Sequence, residues 1–133
     1  TLEKKKIYSD LVFCALETFP FRPSHNMCDE MIYQLIKNGY DSVLSVKEQS
    51  SWIWQTNEKN VFTRVDKGDI RRKFKNKTFV GLNGIGYVTH PEFIRSKKPL
   101  GEKIGFYKVD NPFCDFEVRD QEKLKIGKFI LNK

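Results

Sequence analysis

The sequence predicts an α/β fold with a mixed, mainly parallel sheet, and three successive stretches near the amino terminus support this prediction. Residues 11–16 form an apolar run that is typical of a strand buried on both faces. Residues 24–39 have the polar start, the apolar spacing and the terminal glycine of an amphipathic helix. Residues 41–46 (DSVLSV) form a second apolar run after a short turn. Strand, helix and strand in this order predict a β-α-β crossover whose two strands are parallel.

The predicted helix should turn one apolar face toward the sheet. Acidic residues lie in its first turn, where the helix dipole favours them, and Gly39 is the stop signal. Apolar side chains recur at i, i+3, i+4, i+7 and i+8, at Cys28, Met31, Ile32, Leu35 and Ile36. This spacing predicts that all five residues face the core.

The segment directly after the first strand is the first candidate for a ligand site. It contains a glutamate, a threonine and an arginine, at positions 17, 18 and 22. Ligands of open α/β sheets bind beyond the carboxyl ends of the strands. The sequence therefore places polar groups at the edge of the sheet where a binding site is expected.

A projecting arm is predicted at about 48–77. Within it, residues 51–56 and 61–65 have the alternation of paired strands, and residues 57–60 form the turn between them. The arm carries two tryptophans. Large exposed apolar patches are usually covered by a partner, so we expect a homodimer.

The last third of the chain predicts shorter elements. Glycines interrupt the strand-like residues 78–90, where Asn83 either adopts a positive φ beside Gly84 or offers its amide to a ligand. The further predicted elements are a short helix at 91–95, strands at 103–109 and 116–118, and a final helix at about 120–131. We expect Leu124, Gly127 and Leu131 of that helix to face the sheet.

Length and composition predict one cytoplasmic domain of 133 residues with a net charge of +7. No apolar run is long enough to span a membrane, and no signal-peptide pattern follows the start. The three cysteines have no CxxC spacing and are expected to be reduced core thiols. The basic clusters fit a solvated surface best, then a pocket for an anionic small substrate. A nucleic-acid interface is the least favoured interpretation, because no nucleic-acid motif is present.

Several motifs, in their order and spacing, resemble the acylneuraminate cytidylyltransferase family, from about Tyr8 to the end. They are LETFPFR at 16–22, the Arg71 and Arg72 pair, GLNGIGYVTHPEFI at 81–94, GEKIG at 101–105, VDNP at 109–112 and FEVRD at 116–120. The resemblance implies a three-layer nucleotide-diphospho-sugar transferase-like (Rossmann-like) fold, and usually a homodimer. It further implies an enzyme that couples CTP to an acidic, sialic-acid-like sugar and releases pyrophosphate.

The resemblance also implies site residues. Those expected to bind substrate are Thr18, Arg22, Arg71, Arg72 and Asn83. Glu117 matches the first of two metal-binding acids, so Mg²⁺ is the expected cofactor. Carboxylates that gather at 110–120 are plausible Mg²⁺ ligands on chemical grounds as well, although a solvated loop would have the same composition. No catalytic residue can be assigned.

Three departures from the family pattern qualify these expectations. Residues 16–19 are Leu-Glu-Thr-Phe where sialic acid enzymes commonly carry Gln-Pro-Thr-Ser, so the sugar-facing groups differ. Arg119 stands at the place of the second acidic ligand, where it could contact phosphate or substrate instead. The family's amino-terminal phosphate loop has no counterpart. We therefore expect a fold that is incomplete at its amino terminus and inactive as an isolated fragment.

Two alternative functions remain open. The chain could be a non-catalytic relative of the same fold that binds a sugar or a nucleotide, which the differences at 16–19 and Arg119 favour. It could also be a basic nucleic-acid-binding module, whose affinity would fall steeply with salt.

Overall fold

A computed structural model describes residues 3–66 and 76–132 of the chain. The main elements, in chain order, are β1 (Val12–Cys14), α1 (Met27–Asn38), β2 (Ser42–Gln49), β3 (Trp54–Thr56), β4 (Phe62–Arg64), β5 (Thr78–Gly81), β6 (Tyr87–Thr89), α2 (Pro91–Arg95), β7 (Ile104–Lys108) and α3 (Gln121–Leu131). A short 3₁₀ helix, Glu3–Lys5, precedes β1.

Five of the strands form one mixed sheet. β2 is central: β6 and β5 pair with one of its edges in antiparallel orientation, and β7 pairs with it in parallel. β1 pairs with β6, again antiparallel. β1, β2 and β7 therefore run in one direction, while β5 and β6 run against them. The two strands of the predicted crossover are parallel, as expected, but β6 lies between them.

β1 differs from its prediction in length and burial. It has three residues, all half-buried, rather than the longer strand buried on both faces that the apolar run suggested. Within the described part of the chain, β6 is its only ladder partner. A strand with one neighbour has less of its surface covered than a central strand such as β2, whose Val43 is fully buried.

α1 covers one face of the sheet. The side chains that enter the core lie one turn apart, at Met27, Met31 and Leu35, and they meet apolar residues of β2, β6 and the 82–85 turn. Gly39 ends the helix in the left-handed conformation (φ 59°), as the sequence predicted. The prediction that Ile36 faces the core is wrong, because its side chain is 68% exposed. Ile36 is rotated about 100° around the helix from Leu35.

The opposite face of the sheet is covered by the segment that follows α2. The hydroxyl of Ser42, fully buried, lies 2.7 Å from that of Thr89 and accepts a hydrogen bond from the backbone N–H of Gly101. Successive β-strand residues point to opposite faces, so Leu44 lies on the same face as Ser42. The segment around Gly101 therefore packs on the sheet face opposite α1.

The predicted hairpin is present as β3 and β4, in a two-stranded sheet of their own. The Asn57 side chain accepts hydrogen bonds from the backbone N–H of Lys59, within the predicted turn, and of Val61, directly after it. Trp52, Trp54 and Phe62 are all more than half exposed. This exposure is compatible with the expected homodimer, which stays a prediction.

The carboxyl-terminal segment departs from prediction in two places. Residues 116–118 form no strand; the backbone N–H of Val118 donates one hydrogen bond, to Thr18 O at 2.8 Å, and no ladder follows from it. Asp120 caps the amino-terminal end of α3, because its side chain accepts a hydrogen bond from the N–H of Lys123. Its Leu124 and Gly127 pack near residues 116–118 rather than on the sheet, and Leu131 is 67% exposed. Within the described ranges, no helix is long and apolar enough to cross a membrane.

Candidate functional site

Residues 16–22, which we call the site loop, follow β1 at its carboxyl end and are fixed by backbone contacts. The N–H of Leu16 donates to the carbonyl of Gly84 at 2.9 Å. Arg22 donates through Nη2 to Leu16 O (2.7 Å) and through Nε to Ile85 O (3.3 Å). The predicted substrate ligand Arg22 therefore holds the loop against the 82–86 turn.

Close packing at Gly84 adds a second restraint on the site loop. A Cβ at position 84 would lie 2.1 Å from the ring of Phe19. Gly86 is similarly crowded, since its Cβ would lie 2.6 Å from the Phe13 ring. At both positions an aromatic ring leaves no room for a Cβ, so a glycine is required there.

Thr18 and Glu117, which the resemblance assigns to substrate binding and to a metal, are in contact. The Thr18 hydroxyl donates to Oε1 of Glu117 at 3.3 Å. Nε of Arg119 lies 2.7 Å from the other carboxylate oxygen, Oε2. The Glu117 side chain is 18% exposed, whereas that of Arg119 is 72% exposed. The result is a chain of three polar groups in which Glu117 is the half-buried middle member.

The Arg119 guanidinium and, to a smaller extent, the Thr18 hydroxyl hold the pKa of Glu117 below its ordinary value of 4.5. A carboxyl with a lowered pKa in the folded state stabilises the fold above that ordinary value, and the contribution is lost as the pH falls through the lowered pKa.

We predict that the Glu117 carboxyl titrates below 4.5 in a ¹³C NMR experiment, that Arg119→Gln raises the midpoint, and that Thr18→Val raises it less. Equal midpoints in wild type and Arg119→Gln would show that the ion pair does not persist in solution.

Two other carboxylates of the predicted cluster have partners other than Glu117. Asp115 pairs with Lys47 at 2.9 Å, and Asp120 caps α3 by accepting the N–H of Lys123. Residues 3–66 and 76–132 contain no group of three or more His, Cys, Asp or Glu side chains that could hold a metal ion. The expected gathering of carboxylates is therefore not found in this part of the chain.

Asn83 lines a pocket of about 370 Å³ on the sheet face opposite α1, which we call the Asn83 pocket. Its walls are Leu44, Gly81, Asn83, Tyr87, Pro99 and Leu100. Asn83 is exposed and does not have a positive φ, so the alternative that it adopts a left-handed turn conformation is wrong. Its amide can therefore meet a ligand at an otherwise largely apolar wall.

Sequence reasoning missed Tyr87 and Leu100 as pocket residues. Tyr87 lies four residues after Asn83, within the motif that carried the resemblance, which was the available signal. Burial, together with a hydrogen bond involving Cys14, raises the pKa of Tyr87 to about 12, so its hydroxyl stays protonated near neutral pH. Leu100 is brought in by the loop after α2, and no local pattern indicates that contact.

A wider cleft of about 490 Å³ lies beside the site loop, where Arg22 and His25 meet residues of β1 and α1 such as Phe13 and Met27. Of the predicted substrate ligands within the described ranges, only Arg22 lines this cleft. The predicted ligands Arg71 and Arg72 lie outside the residues that the structure describes.

Comparisons with known proteins connect this geometry to a fold. No protein-family model and no curated protein matches the chain. Among solved structures, the chain is similar to 4-diphosphocytidyl-2C-methyl-D-erythritol synthase from Anaerococcus prevotii DSM 20548, with a TM-score of 0.65 and 12% sequence identity. The match covers 99% of this chain, which spans 64% of the length of that structure. At this identity the likeness establishes the fold alone, and it confirms the predicted α/β fold class with a mixed sheet.

Proposed function

We propose that this chain is the carboxyl-terminal part of a cytidylyltransferase that couples CTP to an acidic, sialic-acid-like sugar and releases pyrophosphate. The supporting observation is the contact of Glu117 with Thr18 of the site loop, which is also hydrogen-bonded to the turn that contains Asn83. Thr18 and Glu117 come from distant parts of the sequence, and the loop that carries Thr18 follows the carboxyl end of β1. The likeness in fold to a synthase whose named product carries a diphosphocytidyl group agrees with this proposal.

In the proposed reaction a sugar hydroxyl attacks the α-phosphorus of CTP. A new oxygen–phosphorus bond forms, the bond to the bridging oxygen of the β-phosphate breaks, and the hydroxyl proton passes to solvent as pyrophosphate leaves. Positioning and electrostatic stabilisation supply most of the rate enhancement in phosphoryl transfer. Mg²⁺, the expected cofactor, would neutralise charge on the triphosphate when it enters with CTP.

The chain's own contribution to this reaction would be to bind and orient the sugar. The Asn83 pocket offers an apolar wall for the carbon skeleton, and the Asn83 amide and Tyr87 hydroxyl offer hydrogen bonds to its hydroxyl groups. Arg22 would keep the site loop in register by holding the carbonyls of Leu16 and Ile85. A fixed loop lowers the entropy lost when the sugar binds.

A non-catalytic sugar- or nucleotide-binding relative is the second candidate. The observation in its favour is the ion pair between Arg119 and Glu117, because a guanidinium occupies the carboxylate that the resemblance assigns to a metal. This candidate predicts sugar binding without pyrophosphate release.

We predict that Asn83→Ala weakens binding of N-acetylneuraminate, the probe sugar acid, by about two- to tenfold, because a neutral hydrogen bond contributes about 0.5–1.5 kcal/mol. The affinity would be measured by NMR titration or calorimetry. Asn132→Ala, at the exposed carboxyl-terminal end of α3, is the matched control and should retain wild-type affinity. An Asn83→Ala variant that binds as well as the wild type would remove the Asn83 pocket from the proposed site.

A further inference from the structure

The arginine at position 119 is placed to act as a ligand-binding group. Its Nε contacts Glu117, while 72% of the side chain is exposed, so the side chain remains accessible to a ligand. Glu117 is in turn restrained by the Thr18 hydroxyl, and the Thr18 carbonyl accepts the N–H of Val118. The guanidinium is therefore anchored at one nitrogen rather than left as a free surface side chain.

The immediate surroundings of Glu117 do not fit an Mg²⁺ site. Magnesium is bound in proteins through one or two carboxylates together with water and substrate phosphates. The nearest charged partner of Glu117 is a cation 2.7 Å away, and Lys123 adds a second positive charge nearby. A divalent ion at Glu117 would have to displace the guanidinium and would then be repelled by it.

We propose that Arg119 takes the place of a protein-bound metal ion and binds an oxyanion of the substrate directly, with Thr18 and Glu117 as its positioning residues. This inference rests on the proposed function. The oxyanion is either the carboxylate of the sugar acid or a phosphate of the nucleotide. Both are planar or forked acceptors that a guanidinium can bind through paired N–H donors.

The proposal has a consequence for the metal. Any Mg²⁺ that the reaction uses would bind the triphosphate of CTP and would not need Glu117. Glu117→Gln should then misplace Arg119 and weaken binding of the oxyanion to the same extent in EDTA and in Mg²⁺. A metal ligand would behave differently, because its loss would have no effect once the metal had been removed.

The test compares wild type, Arg119→Gln, Arg119→Lys and Glu117→Gln in NMR titrations, with and without EDTA. The probes are N-acetylneuraminate, its uncharged methyl ester, and CMP. We expect Arg119→Gln to weaken the binding of one anionic probe about tenfold or more, because a charged hydrogen bond is lost. The affinity for the methyl ester should not change. Weaker binding of N-acetylneuraminate would identify the carboxylate as the group that Arg119 binds, and weaker binding of CMP would identify the phosphate. Arg119→Lys should restore part of the affinity, since it keeps the charge but not the paired donors.

Two results would overturn the inference. One is wild-type affinity of Arg119→Gln for both anionic probes, which would leave the proposed function standing and reduce Arg119 to a surface residue. The other is binding that needs Mg²⁺ and is lost in Glu117→Gln, which would make Glu117 a metal ligand. If wild type binds none of the three probes, the proposed function fails together with the inference.

Discussion

Leu35→Ala is expected to lower the free energy of unfolding by about 2–5 kcal/mol, the range for deleting a buried leucine side chain. Leu35 is 3% exposed and lies between α1 and the sheet, in the cluster formed with Met27, Met31 and Val43. The truncation removes apolar contacts and leaves a cavity that the sheet cannot fill without moving. Chemical denaturation monitored by circular dichroism or tryptophan fluorescence measures the loss.

The neighbouring residue Ile36 provides a matched control, because it is 68% exposed on the same helix. Ile36→Ala should change the free energy of unfolding by no more than about 0.5 kcal/mol. Similar losses in the two variants would contradict the orientation of α1 against the sheet.

Gly84→Ala is expected to destabilise the fold by about 1–3 kcal/mol, as overpacking of a close-packed site does. It should also weaken sugar binding. The new Cβ would lie within 2.8 Å of three atoms of the Phe19 ring, so the ring must leave its position. Phe19 sits in the site loop, one residue from Thr18, and its displacement would disturb the contact with Glu117.

A double-mutant cycle with Phe19→Leu separates this clash from other effects of the alanine. The smaller side chain at position 19 should relieve part of the overlap, so the double variant should be more stable than the sum of the two single changes predicts. Strictly additive free energies would show that Gly84 and Phe19 do not pack as described.

The elements that could be predicted are those with local signals. α1 is marked by its apolar spacing and by Gly39, and the hairpin of β3 and β4 by alternation around the turn at 57–60. α2 begins at Pro91, and α3 follows the capping residue Asp120. Each of these signals acts within a few residues, so a single sequence contains the information.

The features that could not be predicted depend on contacts between distant segments. The insertion of β6 between β1 and β2 is a pairing choice that no local pattern indicates. Residues 116–118 have strand-like composition but find no ladder within the described ranges. In both cases the neighbours that the fold brings alongside a segment determine whether it pairs as a strand, because strand pairing depends on neighbours more than on intrinsic preference.

The candidate site also combines residues that the sequence singled out with contacts that it could not predict. The resemblance assigns Thr18 to substrate binding and Glu117 to a metal, and the structure shows that the two side chains are in contact. The role of Arg22 as a donor to two backbone carbonyls could not be predicted, since the carbonyl of Ile85 is 63 residues away. The same holds for the ion pair of Arg119 with Glu117, because the sequence does not say which group a surface arginine will meet.

Pyrophosphate release tests the central claim most directly. The assay combines CTP and Mg²⁺ with a panel of nine-carbon and eight-carbon sugar acids, using the longest natural form of the protein and the present chain side by side. The proposed function predicts release by the longest form with at least one sugar acid, together with formation of the corresponding CMP-sugar. Release with none of the sugar acids, from a protein whose fold is confirmed, would contradict the cytidylyltransferase assignment and favour the non-catalytic relative.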